Sequence, residues 1–272
     1  MNNPQITARQ HFVPRMYLKR WVHDDKELLF VISKYFSDTE VHEVTYDDKL
    51  FYKIFCYDIF MPNNELYTNN EVERKFAEYE NRHDRLLNRM ISRMDNKQPV
   101  LDKGTNRLEN FLEFVSLTVL RNPQNVIPLK FDNISTSTEE LSNLFFEMFG
   151  DEWNLTGLQI AANSMNRDLL FQALDQLSEG NPDCYFLEST NNTRFITSNN
   201  PVLCSEKWSF IALSPRYACF LLFDTRINCR FTKNKKYALN DSEVIEFNKL
   251  FWKQKDNDTI IGMEPDDLLK AL

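Results

Sequence analysis

Between Val72 and Met90 the side chains Val72, Phe76, Tyr79, His83, Leu86 and Met90 recur at alternating steps of four and three. At about 3.6 residues per turn that spacing keeps them on one side of a helix, and no strand reproduces it over such a length. A long amphipathic helix is therefore the first fixed point of the fold, with an acidic start and a basic end that suit the helix dipole. Its apolar stripe needs a partner. The residues from about Thr105 to Arg121 supply one: Leu108, Phe111, Leu112, Val115 and Val119 make one face, and Phe114, Leu117 and Leu120 another. A helix apolar on two sides belongs inside a core, and Arg121-Asn122-Pro123 ends it.

The two ends of the chain read differently. The N-terminal stretch is expected to enter a short helix with Pro14 as its first residue and to run through Met16, Tyr17, Leu18 and Trp21. Two strands are expected next, Glu27 to Lys34 and one within Val41 to Phe55, both rich in aromatic and β-branched residues. Met61 to Asn70 reads as a polar turn, and helical stretches are expected at Thr138 to Phe149 and Gly157 to Leu177. From Cys184 onward the pattern becomes short apolar runs broken by Asn, Ser and Pro: Tyr185 to Glu188, Thr193 to Thr197, Pro201 to Cys204, Phe210 to Leu213 and Tyr217 to Phe223. A helix near Ser242 to Lys253 and a short acidic tail close the sequence. With no internal repeat and no long linker, residues 1–272 are expected to form a single α+β domain. Its helical middle would sit with a mixed or antiparallel sheet drawn mainly from the C-terminal third, which the N-terminal strands are placed to join.

Charge and composition exclude several classes of function. Forty acidic against 32 basic side chains give a net charge of −8, a poor balance for a protein whose main task is holding duplex nucleic acid. Residues Met1 to Gln10 are polar, and the longest apolar run, Tyr217 to Phe223, is far short of a bilayer span, so a cytoplasmic protein without a membrane segment is expected. The five cysteines (Cys56, Cys184, Cys204, Cys219 and Cys229) form no CxxC pair and read as reduced thiols. The five glycines all stand apart, which rules out a P-loop, a dinucleotide fingerprint and a GxSxG elbow. The four histidines (His11, His23, His42 and His83) include no i, i+4 pair, so no zinc site is expected and no cofactor is named. Twenty-two phenylalanines beside many Asn, Lys and Ile fit an AT-rich gene of the mobile kind.

The candidate site residues are polar groups at the ends of expected elements or, for Glu73 and Glu80, on one face of the long helix. Pro14 forces Val13 to be extended and sets His11 just before a helix start, where an added positive charge is disfavoured and the neutral imidazole is favoured. Arg15, a cation in a first helical turn, opposes the dipole and calls for a paired carboxylate or an anionic ligand. Glu73 and Glu80 lie two turns apart on nearly one face of the long helix and could serve as acid and base, though such flanking glutamates are also ordinary on an amphipathic surface. Arg121, at the end of a buried helix, must cap carbonyls, pair with a carboxylate or grip a phosphate. In Thr197-Ser198-Asn199-Asn200-Pro201 an apolar strand runs into small polar groups, which is turn chemistry as well as a usual place for a site. His83, on the seam itself, reads as a core-edge histidine. A basic cluster, Lys207, Arg216, Arg226, Arg230, Lys233, Lys235 and Lys236, has interleaved aromatics but reads as a solvated sheet face.

Taken in order, His11-Phe12-Val13-Pro14-Arg15-Met16-Tyr17-Leu18, Val72-Glu73 to Glu80, Arg121-Asn122-Pro123, Phe195 to Val202 and Ile211-Ala212-Leu213-Ser214-Pro215 resemble the domain-of-unknown-function 4238 family over roughly residues 9 to 225. Members of that family occur among bacterial defence and prophage-borne genes, so the resemblance implies antiphage defence. One departure is Asn199, where the family pattern has Asp; a metal-dependent mechanism relying on that carboxylate would be weakened here. The expectation is a cytoplasmic defence effector with His11, Glu73 and Glu80 as catalytic groups and Arg15, Arg121, Asn199 and Asn200 binding a phosphate-containing substrate. The competing expectation is a non-catalytic sensor or binding module for a phage component or partner protein. A solvent-open pocket holding both His11 and Glu80 would favour the first, and sealed positions the second.

Overall fold

The computed structural model describes residues 8–23, 27–36, 39–54, 59–60, 71–101, 107–122, 129–130, 182–205, 207–223, 236–255 and 257–272. The chain opens with strand β1 (Arg9–His11), helix α1 (Arg15–Leu18) and a 3-10 turn over Lys19–Trp21. Helix α1 starts one residue later than expected, with Pro14 outside it as the N-cap residue whose carbonyl receives the amides of Tyr17 and Leu18. Strands β2 (Leu28–Ser33), β3 (His42–Thr45), β4 (Tyr52–Ile54) and β5 (Ile59–Phe60) follow. The expected strand within Val41 to Phe55 is thus two. Asp48 splits it: the Asp48 amide donates to the Thr45 carbonyl, while Leu50 and Phe51 donate to the Asp48 side chain and carbonyl.

Helix α2 (Glu71–Asp95) buries Phe76, His83, Leu86, Leu87, Met90 and Met94, the stripe its spacing predicts. It packs on α3 (Arg107–Leu120), of which Phe111, Leu112, Phe114, Val115, Leu117 and Val119 are buried. Strand β6 (Leu129–Lys130) pairs with β5. The turn at Met61 to Asn70 and the expected helices at Thr138 to Phe149 and Gly157 to Leu177 fall outside the described residues.

The C-terminal third holds strands β7 (Asp183–Ser189), β8 (Thr197–Ser198), β9 (Val202–Cys204), β10 (Trp208–Ala212), β11 (Tyr217–Leu222) and β12 (Lys236–Leu239), then helix α4 (Asp241–Lys253), strand β13 (Thr259–Gly262) and helix α5 (Pro265–Leu269). Five of these strands form a sheet in the order β12-β7-β11-β10-β9, mixed because β12 runs parallel to β7. A second sheet, β3-β2-β13-β8, is antiparallel throughout. The fold is α+β as expected, and N-terminal strand β2 does pair with C-terminal β13, in a sheet separate from the five-stranded one.

Two expectations fail for physical reasons. The segment Thr193 to Ile196 is not strand: its amides go to side chains and a turn, Thr193 to Asp241, Arg194 to Asp267, Ile196 to Asn248 and Phe195 to the Pro215 carbonyl. The acidic tail contains β13, a fully buried strand between β2 and β8. Helix α4 is closed at its start by a capping box, Asn240 with Glu243, and lays Phe247 and Phe251 against Phe210 of β10. Short α1 lies where the sheets meet. The Tyr17 hydroxyl donates to the Ala212 carbonyl of one sheet (2.6 Å) and sits 2.8 Å from Thr197 Oγ1 of the other. Trp21 Nε1 donates to the Phe195 carbonyl. Among the described residues no helix is long and apolar enough to cross a membrane.

Candidate functional site

At the end of α3, Arg121 turns its guanidinium into the protein with only 3% of its side chain exposed. One terminal nitrogen donates to Glu80 Oε1 on α2 at 2.6 Å and the other to the main-chain carbonyl of His11 on β1 at 2.5 Å. The same group lies over the Phe76 ring at 4.3 Å, so one side chain ties together β1, α2 and α3.

Next to this clasp, His11 Nε2 lies 3.2 Å from Asp47 Oδ1 and 3.5 Å from Arg15 Nε. Arg15 also pairs with Asp47 at 2.5 Å, which answers the demand for a carboxylate created by a cation in the first turn of α1. The pair is surface chemistry, since Arg15 and Asp47 are each about half exposed. His11 is different. Burial, then the charge of Arg15, pull its pKa down to about 4 against the opposing pull of Asp47. The imidazole is therefore neutral near pH 7; its Nε2 accepts from Arg15 Nε, and the Asp47 carboxylate beside it is held by the Arg15 guanidinium. The ring of Tyr52 on β4 lies 5.6 Å away.

Of the residues expected at a site, His11, Arg15, Glu80 and Arg121 are thus joined in one network. Glu73 lies half-buried two turns earlier on α2. Asn199 and Asn200 belong to the end of β8, where the turn reading holds. Asn199 Oδ1 accepts the amides of Asp258 and Thr259, its own amide donates to the Thr259 carbonyl, and Ser198 Oγ brackets the backbone of Asn200. His83 is the core-edge residue expected, 3% exposed with Nε2 2.9 Å from Glu113 Oε1. The sequence reading missed Asp47 and Tyr52; the signal for Asp47 was the unanswered charge of Arg15. Among the described residues no cluster of His, Cys, Asp and Glu is arranged to hold a metal ion.

The family model for proteins of unknown function designated DUF4238 matches residues 9–261. The chain belongs to the DUF4238 family. No curated protein and no solved structure matches it. The matched span reaches from β1 into β13, so it takes in the whole network and both large sheets.

The open side of the network is a groove of about 550 Å³ between α1 and α2, floored by Glu80 and edged by Arg15, Lys19 and Arg20. Arg20 is already held there, by Asp84 at 2.6 Å and Asn88 at 2.8 Å. His11 is not among the lining residues of this groove. The arrangement ties β1, α2 and α3 together.

Proposed function

We propose that this DUF4238 protein is a bacterial antiphage-defence protein that acts in the cytoplasm as a sensor or binding module, with the His11–Arg121–Glu80 network as a structural clasp. The observation that supports this reading is burial: the side chains of His11 and Arg121 are 5% and 3% exposed, and each faces protein groups. A general base must come within hydrogen-bond reach of the proton it removes, and its pKa works best near the operating pH. His11, sealed and titrating near pH 4, meets neither condition. The defence half of the reading rests on the family.

The test uses the way Arg121 grips His11. It takes the main-chain carbonyl, which any residue supplies, so a soluble His11→Asn variant keeps the clasp. Wild type and His11→Asn are expressed in a bacterial host and challenged with a phage panel. Equal protection is expected, within about threefold in plaque count on the scale of a conservative substitution. Protection lost in a folded His11→Asn protein returns His11 to a catalytic role on a phosphate-containing substrate. No protection by the wild type on any phage removes the defence reading.

A further inference from the structure

Tyr52, whose ring touches the His11 ring, also lines a separate cleft of about 420 Å³. The cleft forms where the β1–β4 ribbon meets one end of the four-stranded sheet, at the exit of β2 and β8 and the entry to β13. Its volume is that of a small-molecule site. Its walls are aromatic: Phe12 is buried at the back, Tyr52 is half-buried, and Tyr35 stands 70% exposed at the rim. Tyr35 is nevertheless held in place, because its hydroxyl donates to Asp258 Oδ2 at 3.2 Å.

The cleft is also locally cationic on an acidic chain. Lys49 and Lys53 line it, both are exposed, and among the described residues neither has a carboxylate within ion-pair distance. Two ammonium groups left unneutralised beside an aromatic wall suit an anion that carries a flat ring. The polar groups deeper in the cleft come in complementary kinds. Asn199 Oδ1 is taken by two backbone amides, which leaves its Nδ2 as a donor, and Asp258 presents a carboxylate acceptor.

We propose that this cleft binds a nucleoside phosphate, with the base against Tyr35 and Tyr52, its polar edge read by Asn199 and Asp258, and the phosphate on Lys49 and Lys53. The inference rests on reading the chain as a binding module, and it supplies the class of ligand recognised. A free nucleotide and the terminal nucleotide of a single strand present the same chemistry.

Purified full-length protein is titrated by calorimetry with the nucleoside triphosphates and monophosphates, the nucleosides, inorganic phosphate and a single-stranded hexanucleotide. At least one nucleoside phosphate is expected to bind about tenfold or more tightly than its nucleoside and than phosphate alone, because ring and anion are both engaged. Tyr35→Leu and the double variant Lys49→Ala/Lys53→Ala each weaken it about tenfold or more, at exposed positions where folding is unaffected. Asn199→Asp keeps an acceptor for both backbone amides but sets a carboxylate beside the ligand, and also weakens binding. A hexanucleotide that binds more tightly than free nucleotides, with the same dependence on these residues, identifies a strand end as the source; the reverse order identifies the free nucleotide. The inference is overturned if no nucleoside phosphate binds below about 1 mM, if inorganic phosphate binds equally well, or if Tyr35→Leu and the double lysine variant both leave affinity unchanged. These titrations are independent of the plaque test on His11→Asn, so either reading can fail without the other.

Discussion

A neutral histidine at 4% exposure leaves a signature in the acid limb of stability. In the unfolded chain His11 takes up a proton near its ordinary value of 6.5, whereas the folded protein resists doing so until about pH 4. Below pH 6.5 the unfolded state therefore binds more protons, and the stability that depends on neutral His11 is complete above that value and is lost as pH falls towards 4. Asp267 acts in the opposite sense. Burial pushes its carboxyl up to about 6, against the amide of Arg194 that donates to it, so the folded protein gains stability as pH falls through that range. Because the two offset each other in the wild type, the informative quantity is the difference in unfolding free energy between wild type and His11→Asn. That difference is expected to shift in favour of the variant by up to about 2 kcal/mol between pH 7 and pH 4.5. A flat difference in urea titrations across that range would show that His11 titrates as an ordinary histidine. The polar residues of this network were legible in the sequence because His11, Arg15 and Arg121 sit at element ends and Glu80 flanks the seam of the long helix. Asp47, which answers Arg15, was not, since only the fold of the β3–β4 turn brings it there.

Among the elements, β13 shows why a short segment escapes notice. Thr259-Ile260-Ile261-Gly262 is too brief for any period, and a strand buried on both faces shows no alternation. Its importance comes from pairing with β2 and β8, which are remote in sequence. Helices α2 and α3, by contrast, carry their own repeating pattern and were readable directly. The Thr193 to Ile196 run has the composition of a strand, but Asp241, Asp267 and Asn248 capture its amides, and composition does not register such partners. The cleft beside Tyr52 was invisible for the same reason as β13: Tyr35, Lys49 and Asp258 come from three connections and Lys53 from β4, and only strand pairing unites them. The end of β13 offers a direct test of how closely α5 is packed on it. A Cβ at Gly262 would lie 3.0 Å from Leu268 Cγ and 3.3 Å from the Glu264 carbonyl oxygen. Gly262→Ala is therefore expected to push α5 outward and to cost about 1–3 kcal/mol, read as a lower urea midpoint at unchanged slope. An unchanged midpoint would mean that Leu268 moves aside freely.

For the molecule as a whole, the connections matter more than any one sheet. Strand β2, near the start of the chain, is hydrogen-bonded along its length to β13, near the end, while Tyr17 holds a strand of each large sheet. Arg121 fastens the helical pair to β1, which is itself paired with β4. Among the described residues no large unit can leave without breaking bonds in another, so this part of the fold is closed by contacts between its extremes. Chains of this size often unfold in steps; here the expectation is one transition. Urea unfolding followed by tryptophan fluorescence, with Trp21 fully buried in the core, should superimpose on the curve from far-ultraviolet circular dichroism. Two separated transitions would divide the chain into independent units and end the single-domain reading. Coincident transitions that shift together in Gly262→Ala, at the far end of the sequence from Trp21, would tie the last strand and the first helix into the same cooperative unit.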